Sequence, residues 1–101
     1  MSEVNQLQKQ LEDSKKLIER RRQAIRLSEN KDFKKLILDG FCLSDAASYV
    51  SASADPQLSA EQRQDALNIA QAAGHLKRFL SVVTQMGAIA ERDLGQIEEA
   101  I

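Results

Sequence analysis

Apolar residues recur at helical spacing along almost the whole chain, and proline occurs once, at Pro56. In the first segment Val4, Leu11, Ile18 and Ile25 fall every seven residues. Leu7 supplies one intervening position of the same seam, and Ser14, Arg21 and Ser28 occupy the later ones. Leu17 and Ala24 widen the stripe. This spacing predicts a long amphipathic helix over 1–29. Its imperfect heptad seam suits packing against a broad helical surface better than a strict two-stranded coiled coil. Gln, Glu, Lys, Arg and Leu dominate the segment, and all of them propagate helix well.

Between residues 30 and 58 the rhythm changes. Asn30 reads as an N-cap, with Asp32 in the first turn behind it. Phe33, Leu36 and Ile37 make an i, i+3, i+4 face. Gly40 is expected to close that helix as a C-terminal cap, leaving Phe41, Cys42 and Leu43 as an apolar connector. Ser44 then reads as the cap of a third, short helix running to about Ala54, with a small-residue face of Ala46, Ala47, Val50 and Ala54. Asp55-Pro56 breaks that helix, because the residue before proline avoids the α region.

From residue 59 onward, Ser59 and Gln62 match a capping box. The helical rhythm then persists to the last position, roughly 65 Å if the helix is continuous. Leu76, Val83, Ala90 and Ile97 form one heptad line, and Phe79, Met86 and Ala100 form most of a second. Leu80, Leu94 and Ile101 lie beside it, and Val82 and Ile89 flank the other edge. Gly74, Gly87 and Gly95 interrupt this segment. Each costs up to about 1 kcal/mol in a helix interior, so each marks either a close backbone approach or a break. The stripe is too wide in its centre for one partner helix. The expected fold is all-α and a single domain over 1–101. Its long N-terminal and C-terminal helices form an antiparallel hairpin, with two short helices between them.

Composition sharpens this picture. Aromatic residues are 4% of the chain, too few for a well-filled rounded core, so long helices paired along narrow seams fit better. The net charge of −1 gives no bulk reason to expect nucleic acid or an anionic membrane. A single cysteine, Cys42, excludes an intramolecular disulfide, and its apolar neighbours predict a buried, reduced thiol. No apolar run approaches the length of a membrane span, and the N-terminus lacks an apolar signal region. A cytosolic location without a membrane partner is the expectation.

The charges are unevenly placed. Lys15, Lys16, Arg20, Arg21, Arg22 and Arg26 face one nearby acid, Glu19, whereas Glu91, Asp93, Glu98 and Glu99 make the end of the chain acidic. The basic helix has three readings. It is a solvated face neutralised along the helix (Glu12 to Lys16, Glu19 to Lys15 or Arg22), a surface for an acidic protein partner, or a phosphate contact. No aromatic residue is interleaved for base stacking, so nucleic acid is the least favoured. An antiparallel hairpin sets this basic run near the middle of the last helix, so the acidic end is expected to match it between subunits or not at all. His75, the only histidine, has no second ligand at metal-site spacing and reads as partly buried in its helix. Ser44 and Asp45 are explained by capping, and no glycine-rich phosphate loop occurs. The sequence therefore offers no catalytic residue, cofactor site or metal site, and a non-enzyme is expected. Phe79, Val82, Val83, Met86, Ile89 and Ala90 form a candidate oligomer interface, with a homo-oligomer expected. Lys15, Arg20, Arg21, Arg22 and Arg26 form a candidate partner-binding face.

Three stretches resemble segments of small helical proteins encoded by tailed bacteriophages. They are Lys31-Asp32-Phe33-Lys34-Lys35-Leu36-Ile37-Leu38-Asp39-Gly40-Phe41, Ala54-Asp55-Pro56-Gln57-Leu58-Ser59-Ala60-Glu61-Gln62-Arg63 and Gly74-His75-Leu76-Lys77-Arg78-Phe79-Leu80. The resemblance covers roughly residues 30 to 95 and carries over no site residue. It implies a phage context, in which such proteins serve as virion or assembly components or as inhibitors of host proteins. The location it implies is the host cytoplasm or the virion. The first functional expectation is a non-enzymatic phage structural or assembly protein that self-associates through its last helix and contacts other phage structural proteins. The alternatives are an inhibitor that binds a host protein through the basic helix, and a DNA-binding packaging or regulatory accessory.

Overall fold

The computed structural model describes residues 2–100. All regular structure among them is helical. Helix α1 spans Ser2–Glu29, and a helical stretch runs from Lys31 to Ser53. It comprises α2 (Lys31–Phe33), a π-helical segment (Lys34–Asp45) and α3 (Ala46–Ser53). Helix α4 spans Ala60–Ala100. The fold is the all-α hairpin that the pattern predicts, with α1 and α4 as its long arms. The described residues divide into two compact units: residues 2–26 with 80–100, and residues 27–79.

In the first unit, α1 and the second half of α4 run antiparallel. Leu17 and Arg21 approach Gly87, while Leu7 and Ser14 share a groove with Gln96 and Ile97. Ser14, Ile18 and Ala24 are the buried residues of α1, and Leu7, Leu11, Leu17, Arg21 and Ile25 are half-buried. From Leu7 onward the seam is thus the predicted heptad, with its polar members Ser14 and Arg21 inside it, whereas Val4, the first residue of that heptad, is exposed at 53%. On α4 the line Val83, Ala90, Ile97 turns inward as expected, with Ala90 fully buried. The second inward line is Leu80, Gly87 and Leu94, and Met86, a member of the candidate oligomer interface, is exposed at 43%. The reason is backbone proximity: a seam built on Gly87 and Ala90 brings the two helices closer than one built on Met86 allows.

Gly87 resolves the ambiguity of the glycines. Helix α4 runs without interruption through all three, and no glycine adopts positive φ. At Gly87 a Cβ atom would fall on the Arg21 side chain, 2.8 Å from its Cδ, and 2.9 Å from the Leu17 carbonyl oxygen. It is a close-approach glycine. Gly74 and Gly95 face open space.

In the second unit the caps form as the sequence predicts. Asn30 Oδ1 accepts a hydrogen bond from the Phe33 N–H at 2.9 Å. The Ser59 hydroxyl accepts the Gln62 N–H at 3.1 Å, the Gln62 side chain accepts the Ser59 N–H at 3.0 Å, and α4 starts at Ala60. The Asp55 side chain accepts the Gln57 N–H, turning the chain around Pro56.

The middle of this unit departs from expectation. Gly40 ends no helix, and the expected Phe41–Leu43 connector is helical. Ser44 caps nothing; its hydroxyl donates back to the Gly40 carbonyl at 3.2 Å. The whole span Lys34–Asp45 is wound as a π-helix, and the Ala46 N–H reaches the Phe41 carbonyl five residues back. Apolar spacing explains this. Phe33, Ile37, Leu38, Gly40, Phe41, Cys42 and Ala46 are the half-buried positions, and apart from Gly40 they recur in two rows at steps of four or five. A turn of about 4.4 residues keeps these rows on one face, whereas a turn of 3.6 would bring Leu36 and Ser44 inward instead. Leu36 and Leu43 are accordingly exposed, at 71% and 60%. Cys42 is half-buried rather than buried, and it is free. On α4, Ala66 and Ala73 form the buried part of this unit's core.

Candidate functional site

The clearest outward feature of the first unit lies on α4. Val82, Met86 and Ile89 keep the i, i+4, i+7 spacing of one helix face, and each remains between 41% and 43% exposed. They lie about a quarter-turn from the seam line of Val83 and Ala90, so the contact with α1 leaves them uncovered. Two members of the expected interface do not belong to this ridge. Ala90 is 3% exposed in the chain's own seam, and Val83 is half-buried beside it. Phe79 continues the spacing in sequence, lies in the second unit and is 53% exposed.

The ridge continues along the same face into Asp93 and Gln96, seven residues beyond Met86 and Ile89. These two, with Ile97, form the α4 wall of an open groove of about 560 Å³; Leu7, Gln10, Asp13, Ser14 and Leu17 form the α1 wall. Sequence reading missed this groove. Its signal is Ser14, a small polar position in the α1 seam that leaves space where a larger residue would fill.

The basic face is partly neutralised. Arg21 pairs with Glu91 at 3.5 Å within the same chain, which corrects the expectation that acidic and basic segments meet only between subunits. The contact arises because α4 passes Arg21 at Gly87, placing Glu91 one turn further along. Glu19 serves Arg22 at 4.0 Å and Arg26 at 3.3 Å, so its expected partner Arg22 is joined by Arg26. The Arg21 Nε is buried without a hydrogen-bond partner. Lys15 and Arg20 lie on the exposed side of α1. Such a face still carries positive charge, though Arg21, Arg22 and Arg26 are engaged by acids of its own chain.

Among the described residues, no group of three or more His, Cys, Asp or Glu side chains is placed to hold a metal ion. His75 is exposed, contrary to the partly buried position expected of it. Among the same residues, no helix is long and apolar enough to cross a membrane. No family model, curated protein or solved structure matches the chain.

Proposed function

We propose that this chain is a non-enzymatic structural or assembly protein of a tailed bacteriophage, acting through helix-mediated self-association. The ridge of Val82, Met86 and Ile89 carries the reading. Three large apolar side chains at heptad spacing, turned away from their own partner helix, are what a helix shows where another helix covers it. The phage setting rests on the resemblance of residues 30 to 95 and on nothing else.

Magnitudes indicate how large the interface must be. Covering the exposed part of each ridge residue contributes about 1 kcal/mol, hence roughly 6 kcal/mol for two copies. Association itself costs on the order of 4–15 kcal/mol. The ridge therefore anchors an interface and does not complete one.

Sedimentation equilibrium at about 10 μM tests the reading. The expected result is a species at least twice the 11.3 kDa chain mass. The pair Met86→Glu and Ile89→Glu should return it to monomer with unchanged helical circular dichroism. A wild-type protein that stays monomeric at that concentration refutes self-association.

A further inference from the structure

The first unit is electrically divided along its length. Its outer half, residues 2–14 with 93–100, holds six acids (Glu3, Glu12, Asp13, Asp93, Glu98, Glu99) against Lys9, a side-chain charge of −5. Its inner half, residues 15–26 with 80–92, holds seven bases (Lys15, Lys16, Arg20 to Arg22, Arg26, Arg92) against Glu19 and Glu91, a side-chain charge of +5. The antiparallel course of α1 and α4 causes the division, since it brings acids from both ends of the chain to one end of the unit. The net charge conceals it.

We infer that a second copy of this chain docks antiparallel on the outward face of the first unit, laying each ridge on the partner's groove and each basic half on the partner's acidic half. The inference rests on the self-association proposed above and gives it a geometry. Two features point to the same arrangement. The ridge is centred on Met86, and the α4 wall of the groove is centred on Gln96. A two-fold axis passing near Glu91 and Arg92 exchanges those two positions. The boundary between basic and acidic halves falls between Arg92 and Asp93, within two residues of the same axis. The apolar match and the charge match thus require one operator, and it makes the contact isologous.

Alternative arrangements fail on charge. A parallel pair, or an antiparallel pair with ridge on ridge, sets the +5 half against its own copy. The size is adequate as well. Helices of about 30 Å, two abreast at 8–10 Å spacing, present a face of roughly 600 Å². That approaches the ~800 Å² per partner of a stable interface.

Disulfide trapping tests the geometry. In a Cys42→Ser background, chains carrying Met86→Cys are mixed with chains carrying Gln96→Cys and oxidised in air. The expected product is the mixed disulfide, in several-fold excess over either homodisulfide. Ile89→Cys with Asp93→Cys, exchanged by the same axis, should behave alike and guards against a single badly placed substitution. Raising salt from 0.05 to 0.5 M should weaken the dimer by about tenfold or more. A dimer that yields the Met86 homodisulfide, yields neither mixed product, or is indifferent to salt overturns this arrangement while leaving self-association standing. A monomer by sedimentation removes both.

Discussion

The approach of α1 to Gly87 sets the sharpest stability prediction, because the three glycines of α4 should respond to the same substitution with opposite signs. Gly87→Ala gains about 1 kcal/mol of helix propensity, like any Gly→Ala change in a helix interior. It also places a methyl group on the Arg21 side chain and 2.9 Å from the Leu17 carbonyl oxygen. The Arg21 Cδ can swing away, but the Leu17 carbonyl is α1 backbone and cannot move without the helix. Separating the helices by even half an ångström loosens Ile18, Ala24 and Ala90, the buried hydrophobic residues of the unit. Overpacking of this kind costs about 1–3 kcal/mol, and backbone contact puts it at the upper end. The expected net effect of Gly87→Ala is a loss of about 1–2 kcal/mol, a fall in Tm of roughly 5–10 °C for a chain of this size. Gly74→Ala and Gly95→Ala meet nothing within 4 Å and should each raise stability by up to about 1 kcal/mol. Thermal and urea unfolding followed at 222 nm measure all three. A Gly87→Ala protein as stable as the Gly95→Ala protein would refute the close approach, and with it the small-residue account of the α4 seam.

Three further outcomes follow from other contacts. Ser59→Ala removes the hydroxyl that accepts the Gln62 N–H and should cost about 1 kcal/mol by urea titration, with Ser59→Gly nearer to wild type. Arg21→Met keeps the apolar stem beside Gly87 and eliminates a buried Nε without a partner. It should change stability by less than about 0.5 kcal/mol or raise it, since the Glu91 pair is half exposed and contributes little. In the π-helical segment, Leu36→Gln should cost under about 0.5 kcal/mol and Phe41→Ala about 2 kcal/mol or more. Equal losses at the two positions would indicate α winding instead.

The sequence carried the ends of helices well. The Asn30 cap, the Ser59–Gln62 box and the Asp55-Pro56 break depend on side chains bonding backbone within three residues, and such local chemistry is legible without neighbours. The heptad of α1 was equally legible. Gly40 and Ser44 misled because both have a second use. A glycine that ends one helix tolerates another's wide turn, and a serine that caps can donate back to a carbonyl four residues earlier. The candidate interface was half legible. Val82, Met86 and Ile89 stood out by spacing, but the division between them and Val83 and Ala90 depends on which side α1 takes.

By itself, then, the sequence determined that the chain is helical, where α2 and α4 begin, and that α4 has more apolar width than one partner covers. These follow from periodicity and short-range hydrogen bonding. Only the tertiary structure decided which apolar line of α4 is core and which is surface. The choice rests on the distance between two backbones, and that distance is set by a missing methyl group at Gly87 that registers in sequence only as a weak helix former. The same antiparallel contact sorted the charges of a nearly neutral chain into an acidic and a basic half, because segments at opposite ends of the sequence acquire a common field only once they lie side by side.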